Sequence, residues 1–168
     1  MIVTAFDPGK TGFIVELNSD TKTARTMPIP FRRDEIVCYR QIRENFDLKS
    51  AELIILEKVS VQPKWSAMAS MNFGKTVGQL QMLLSAFSFA EVSSKTWQKV
   101  MHLGFSDNMK PKEKSEAAFY RLNPDYVRGK RKPSHDMIDA FLIAAYGLKT
   151  TGVNIQGGWT FDHIPSKD

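Results

Sequence analysis

The stretch "SHDMIDAFLIAAYG", residues 134–147, decides the fold class because it combines an apolar helix with two carboxylates. Asp136 and Asp139 are three residues apart, so they lie on the same face of a helix. Most other residues from 137 to 144 are large and apolar, which is typical of a helix that packs against a core. Two like charges at this spacing repel each other. The stretch therefore predicts a buried helix whose two aspartates need a compensating cation.

The overall composition is typical of a soluble globular protein. The chain has 168 residues, enough for a single domain spanning 1–168 with a sizeable core. Its one cysteine excludes an internal disulfide and a thiolate zinc cluster. The formal net charge of +5 favours an anionic partner such as nucleic acid. No apolar run approaches the ~18 residues of a transmembrane helix, and the start "MIVTAFD" lacks the basic segment of a signal peptide. We expect a cytoplasmic protein with no membrane partner.

Strand and helix patterns alternate along the chain in an order that predicts an α/β fold. Three strands joined by short turns form a predicted antiparallel meander; they are residues 1–7, 13–17 and 23–29. Two further strands are predicted at 51–57 and 89–94. Predicted helices cover 32–46, 66–88, 94–104, 112–123 and the acidic stretch. The prediction is a mixed five-stranded sheet with flanking helices, followed by an irregular C-terminal tail over 150–168.

Two of the predicted strands end in a carboxylate. Asp7 closes the first strand, and Glu57 closes the fourth. Sites in open sheets form at the carboxyl ends of strands, so neighbouring strands would place these two side by side. The acidic helix would add Asp136 and Asp139. Four carboxylates at one point require cations, and Mg²⁺ or Mn²⁺ are the hard ions that prefer oxygen ligands. Two such ions clamp a phosphodiester and activate water for its hydrolysis.

Each carboxylate also has a structural explanation when it is considered alone. Asp7 precedes Pro-Gly and is a common turn residue. Asp136 follows Ser134, a possible N-cap, and a carboxylate is favourable near a helix N-terminus. The occurrence of all four in this order favours the metal site.

Three motifs carry a resemblance to a known family. The order "FDPGKTGFIV", "LIILEKV" and "SHDMIDAFLIAAYG" resembles the RuvC-like Holliday junction resolvases of the ribonuclease H-like superfamily, over residues 1 to about 149. The resemblance implies a ribonuclease H-like fold. It also implies that Asp7, Glu57, Asp136 and Asp139 are catalytic ligands of two Mg²⁺ or Mn²⁺ ions. The implied activity is structure-selective cleavage of four-way DNA junctions by paired symmetric nicks, with no small-molecule cofactor.

Other positions near these motifs match the family in part. Lys99 and Lys114 resemble family lysines near the cleaved phosphate, which makes them catalytic candidates. His135 is one position before the family's alternative histidine, so it is left out of the predicted ligand set. The segment after Glu57 lacks the aromatic residue that family members place at the junction centre. Trp65 either replaces that residue or belongs to the core.

A basic block from Lys110 to Lys132 precedes the acidic helix. It contains eight basic and three acidic residues, so its net positive charge equals that of the whole chain. Contacts from such a block to phosphates are insensitive to sequence and sensitive to salt; the alternative is a solubilising loop. The predicted DNA-binding residues are Lys58, Lys64, Lys99, Lys110, Lys112, Lys114, Arg128, Lys130, Arg131 and Lys132.

A two-fold dimer matches the near two-fold symmetry of a four-way junction. In the predicted helix 66–88, one apolar stripe is expected to face the sheet. A second stripe contains Met68, Met71 and Met82, and methionine adapts well to irregular contacts. We expect these three residues in a homodimer interface. The alternative is that the C-terminal tail covers them.

Rival functions differ in what they require of the chain. An actin-like phosphotransferase also begins with a D-x-G loop, but it needs two lobes, and 168 residues supply one. A non-catalytic DNA-binding module on the same fold is expected to lose carboxylates. A nuclease for other branched DNA, flaps or RNA:DNA hybrids remains open, because the ligands do not specify the shape of the substrate.

Overall fold

Six strands of one mixed sheet are present in the computed structural model, which describes residues 1–60, 63–126 and 132–166. They are β1 (Ile2–Asp7), β2 (Phe13–Asn18), β3 (Thr23–Pro28), β4 (Leu53–Lys58), β5 (Ala90–Ser93) and β6 (Thr160–His163). Their spatial order is β5-β4-β1-β2-β3-β6. The helices are α1 (Tyr39–Asn45), α2 (Ala67–Leu84), α3 (Ser94–Met101), α4 (Pro111–Leu122) and α5 (His135–Thr150).

The pairing of β1 positions the ends of two strands next to each other. The predicted meander is confirmed, because β1, β2 and β3 pair antiparallel in sequence order. β4 runs parallel to β1, with Val3 opposite Leu53 and Phe6 opposite Leu56. Continued by one residue, this register brings Asp7 level with Glu57 at the carboxyl ends of both strands.

Side chains of the sheet alternate between two hydrophobic cores. Val3 and Ala5 face a core formed with α3, α4 and α5, whereas Phe6 faces a second core formed with α1 and α2. Successive residues of a strand point to opposite faces, so Asp7 shares the face of Val3 and Ala5. By the same rule Glu57 shares the face of Ile55. Both carboxylates therefore point to the side of the sheet that α5 covers.

α5 is the main helix of the first core, and a glycine lets it approach the sheet closely. A Cβ atom at Gly147 would lie 2.8 Å from Ile55 Cδ1 and 2.9 Å from Val3 Cγ1. Close packing at this end fixes the helix against β1 and β4, and its other end carries the two aspartates. Although α5 is apolar along most of its length, no helix in the described ranges is long and apolar enough to cross a membrane.

The predictions of a five-stranded sheet and an irregular tail are wrong at residues 160–163. β6 pairs parallel with β3 and extends the sheet. Phe161 holds the strand in an aromatic cluster, with its ring 4.7 Å from that of Tyr126 and 5.6 Å from that of Phe141. A strand of four residues is too short to produce a recognisable alternation. Trp159 also packs on Phe141, so the tail lies on the α4–α5 side and does not cover the methionines of α2.

The predicted helix over 32–46 is shorter than expected. α1 begins at Tyr39, and the preceding segment is irregular. Phe31 and Val37 form an isolated bridge, and Glu35 between them has a φ of 59°. The bridge buries Val37 without a helix. The apolar residues of this segment therefore belong partly to a loop and partly to a helix, and both pack on the second core.

The close approach at Gly147 predicts the effect of a single methyl group. We expect Gly147→Ala to lower the free energy of unfolding by about 1–3 kcal/mol, because the added Cβ overpacks the contact between α5 and the sheet. Gly74→Ala in α2 is the matched control, since nothing lies within 4 Å of its Cβ position. That variant should gain ~0.5–1 kcal/mol from helix propensity. Urea denaturation measures both, and equal stabilisation of the two variants would contradict the proposed packing.

Candidate active site

The structure brings all four predicted carboxylates to one region at the carboxyl ends of β1 and β4. Asp7 is the last residue of β1, and Glu57 is the next-to-last residue of β4. Asp136 and Asp139 lie in the first turns of α5. Ser134 caps this helix as expected, because its hydroxyl accepts a hydrogen bond of 3.1 Å from the backbone N–H of Met137.

The charges of these carboxylates act on one another. Burial raises the pKa of Asp7 well above its ordinary value, and the nearby charges of Glu57, Asp139 and Asp136 raise it further. A hydrogen bond with the Glu57 carboxyl group acts in the same direction. Burial likewise raises the pKa of Asp139 to about 6, although a hydrogen bond with Ser115 partly opposes this. Without a cation, the site therefore favours protonated carboxyl groups.

Three further side chains interact with these carboxylates, and no motif in the sequence indicates them. Two interact directly, and the third interacts through one of the other two. The indole Nε1–H of Trp97 donates a hydrogen bond of 2.9 Å to Glu57 Oε1. Ser115 lowers the pKa of Asp139, and its Oγ is 3.1 Å from Nε2 of His102. A tryptophan and a serine inside ordinary helices carry no local signal that distinguishes such contacts from core packing.

The donor atoms of the site suit a hard divalent cation. Asp139 Oδ1 is buried without a hydrogen-bond partner, and the surrounding donors are carboxylate oxygens. Such oxygens are the ligands of Mg²⁺ and Mn²⁺. Across residues 1–60, 63–126 and 132–166, no three His, Cys, Asp or Glu side chains already enclose a point where an ion would sit. The carboxylates are close enough for their charges to interact. They need not converge on one point in the absence of a cation, because carboxylates that are not neutralised repel each other.

His135 lies beside this region, at the first position of α5. Its Nδ1 is buried and makes no hydrogen bond within the described part of the chain. The position of His135 in the motif places it outside the predicted ligand set.

The predicted catalytic lysines differ in their surroundings. Lys114 in α4 is 17% exposed, and its Nζ is 3.7 Å from Asp107 Oδ1. Lys112, two positions earlier, lies close enough for its charge to lower the pKa of Asp139. Lys99 is exposed in the last turn of α3. Of the lysines in the described ranges, Lys112 is thus the one identified as acting on Asp139.

The remaining predicted DNA-binding residues are distributed over several elements. Lys58, Lys64 and Lys110 are exposed. Lys132 is also exposed, but its Nζ forms an ion pair of 2.6 Å with Glu116. The other three, Arg128, Lys130 and Arg131, lie outside the described residues.

The predicted interface methionines are exposed on α2. Met68, Met71 and Met82 have exposed fractions of 62%, 61% and 75%. The opposite face of the helix packs against the second core through Leu80 and Leu84, as predicted.

A cavity of about 490 Å³ lies between the β1–β2 turn and the first half of α2. Trp65 lines it and is 37% exposed, so this residue does not belong to the core. Its ring packs edge-to-face on Phe73 at 5.2 Å. Lys10, Lys75 and Glu35 also line it, and Lys10 Nζ is 3.4 Å from Glu35 Oε1.

The fold matches those of solved Holliday junction resolvases. RuvC from Thermus thermophilus has a TM-score of 0.59 at 16% identity, over 91% of this chain and 98% of that one. The same protein in complex with a Holliday junction substrate has a TM-score of 0.55 at 11% identity, over 89% and 96%. The yeast mitochondrial Holliday junction resolvase Ydc2 has a TM-score of 0.51 at 14% identity, over 89% and 78%. The chain therefore has the ribonuclease H-like fold of these proteins, as the sequence predicted.

Sequence comparisons give no match, either to a family model or to a curated protein. The similarity to the solved resolvases is thus one of fold.

The raised pKa of Asp139 predicts how stability depends on pH. In the metal-free protein the folded state holds this proton up to about pH 6, whereas an unfolded Asp releases it near pH ~3.9. The stability that the proton contributes is complete below the unfolded pKa, and it is lost as pH rises through the folded pKa. Asp139→Asn removes this loss of stability, because an amide does not ionise. We expect the variant to gain up to ~3 kcal/mol over wild type between pH 4 and pH 8.

Urea denaturation in the presence of a chelator measures this difference. Glu44→Gln, which removes an exposed carboxylate on α1, controls for the loss of one negative charge. A difference between wild type and Asp139→Asn that stays constant with pH would show that burial of Asp139 does not destabilise the folded state.

Proposed function

We propose that this protein is a RuvC-like, metal-dependent endonuclease that resolves four-way DNA junctions by paired symmetric nicks. The observation that carries the proposal is the cluster of Asp7, Glu57, Asp136 and Asp139, whose charges act on one another at the carboxyl ends of two paired strands. The fold shared with RuvC and Ydc2 supports it. A structural role for four repelling carboxylates is unfavourable, whereas a cation offsets the repulsion.

The four carboxylates would hold two Mg²⁺ or Mn²⁺ ions. When bound, such ions activate water and stabilise the charge that develops on a phosphodiester during hydrolysis. The chain itself supplies deprotonated oxygens in fixed positions. Because burial and like charges raise the pKa of Asp7 and Asp139, occupation of the site must release protons. Cleavage should therefore increase as pH rises through about 6, where Asp139 of the metal-free protein loses its proton.

Positive side chains next to the carboxylates complete the proposed site. Lys114 and Lys112 lie in the first turns of α4, which packs against α5. We assign Lys114 the role of offsetting charge at the scissile phosphate, with Lys99 as a further candidate from the end of α3. Lys112 belongs with them because its charge already acts on Asp139.

Further exposed lysines suit contacts to the DNA backbone. Lys58, Lys64 and Lys110 are exposed, and Lys132 forms an ion pair with Glu116. Backbone contacts of this kind position the nucleic acid without reading its sequence. Arg128, Lys130 and Arg131 extend the same basic block.

We further propose a homodimer formed through α2. Met68, Met71 and Met82 are exposed on a face that the tail does not cover. Gly78 lies on the same face with nothing within 4 Å of its Cβ position, so a partner helix can approach closely there. A two-fold pair of sites matches two symmetric cuts in a four-way junction.

Conservative substitution of the carboxylates tests the proposed chemistry. Asp7→Asn, Glu57→Gln, Asp136→Asn and Asp139→Asn should each reduce Mg²⁺-dependent cleavage by at least ~100-fold, because a neutral amide binds the ions weakly. Binding of the junction should persist, since it depends on lysines elsewhere. Cleavage is measured on a four-way junction, a flap, a linear duplex and an RNA:DNA hybrid in parallel. Glu44→Gln on α1 is the surface control.

Two results would contradict the proposal. Near-normal turnover by three of the four variants would locate the chemistry elsewhere. Efficient cleavage of the hybrid or the flap, with the junction left intact, would keep the metal site but change the substrate.

Charge on the methionine face tests the dimer. The double variant Met71→Glu and Met82→Glu should remain folded and become monomeric, because four buried carboxylates at a two-fold interface are strongly unfavourable. It should then nick junctions without coupling the two cuts. Leu103→Glu is the control, since Leu103 is 70% exposed but lies outside α2. Sedimentation at micromolar concentration measures the state, and a monomeric wild type that makes coupled nicks would exclude this assembly.

A further inference from the structure

α3 and α4 present three side chains to the carboxylate site that are not among its proposed ligands. They are Trp97, His102 and Ser115, and the contacts described above connect them to Glu57 and Asp139. We propose that Trp97 and the pair Ser115–His102 are positioning residues that fix the carboxylates of Glu57 and Asp139 for metal binding. The inference rests on the proposed function and adds residues that no motif of the sequence analysis includes.

The first contact connects α3 to β4. Trp97 is 1% exposed and Glu57 is 7% exposed, so their hydrogen bond of 2.9 Å is shielded from water. A hydrogen bond from a neutral donor to an ionised carboxylate is stronger than one between neutral groups. The indole ring is rigid and tightly packed. It therefore restricts the rotation of the Glu57 side chain and leaves its second oxygen for Asp7 or a cation.

The second contact connects α3 through α4 to α5. Burial lowers the pKa of His102, and the charges of Lys114 and Arg121 lower it further, so the imidazole is neutral at physiological pH. A neutral His102 that donates from Nε2 to Ser115 Oγ leaves the hydroxyl hydrogen free for Asp139. Ser115 is buried on α4, which packs against α5, and Asp139 is its hydrogen-bond partner there.

The two contacts share one support. The rings of Trp97 and His102 pack edge-to-face at 5.7 Å. Arg121 of α4 holds the end of α3 in place, since its guanidinium donates hydrogen bonds of 3.0 Å to the carbonyl oxygens of Met101 and Leu103. One rigid unit thus orients a carboxylate from β4 and another from α5. In metalloproteins, groups that orient the ligands in this way tune metal affinity.

A purely structural role is the alternative, because a buried indole N–H needs an acceptor of some kind. Trp159 provides the comparison within the same chain. It is 6% exposed, and its Nε1–H donates to the backbone carbonyl of Ile155 at 3.4 Å. Thr26 is the corresponding control for Ser115, since its Oγ1 is 2.7 Å from Nδ1 of His163 in the β3–β6 pair. Trp159 and Thr26 are buried, and neither contacts the carboxylates through the hydrogen bonds described.

The test measures binding of Mn²⁺ by calorimetry in the full-length chain without DNA. Trp97→Phe and Ser115→Ala delete one donor each, and each should weaken Mn²⁺ binding by about 10- to 100-fold. Trp159→Phe and Thr26→Val should leave it unchanged. His102→Gln retains a side-chain N–H and should bind like wild type, whereas His102→Leu should fall between wild type and Ser115→Ala. The two variants of His102 keep the test valid if Trp97→Phe does not fold.

Wild-type affinity in folded Trp97→Phe and Ser115→Ala overturns the inference, and so does an equal loss in Trp159→Phe and Thr26→Val. If wild type binds no Mn²⁺, the proposed function fails, and crystal structures of the metal-free variants decide the positioning role. Rotation of Glu57 in Trp97→Phe and of Asp139 in Ser115→Ala supports it. Unchanged carboxylates in both variants refute it.

Discussion

Electrostatic repulsion among carboxylates is the constraint on which this fold depends. The parallel register of β1 and β4 leaves Asp7 and Glu57 level with each other, on the face that α5 covers. α5 then adds Asp136 and Asp139 to the same region. Each group raises the cost of ionising its neighbours, and burial adds to that cost. The apolar packing of α5 offsets this electrostatic cost, since Ile138, Phe141 and Leu142 are fully buried.

The same packing separates rigid parts of the molecule from adaptable ones. On the α5 side, helices, sheet and tail form one continuous aromatic and aliphatic core. On the other side, α2 contributes only part of one face to the second core, and its methionines remain exposed. A chemical site benefits from the first environment, because ligands must be held within a fraction of an ångström. An assembly surface benefits from the second, since methionine adapts to the shape of a partner.

Sequence alone predicted those features that have a local signature. The carboxylates at Asp7 and Glu57 follow apolar runs that end abruptly, and the pair in α5 stands out against apolar neighbours. Trp97 had no such signature, since its role depends on a contact between residues 40 positions apart. β6 was missed because its pairing with β3 follows from the aromatic cluster around Phe161. The distinction between Lys112 and Lys114 depends on the rotation of α4, which periodicity determines only within a residue or two.

The parallel pairing of β6 with β3 also affects how the chain reaches this fold. The two strands are separated by more than a hundred residues, with Thr23 opposite Thr160. Contacts of such high sequence separation form slowly, because a long loop must close before the strands can pair. Until then the meander exposes the free hydrogen-bonding groups of β3, which invite pairing with another chain. The last strand therefore acts as protection against aggregation, and Asp162 within it places a charge on the new edge of the sheet.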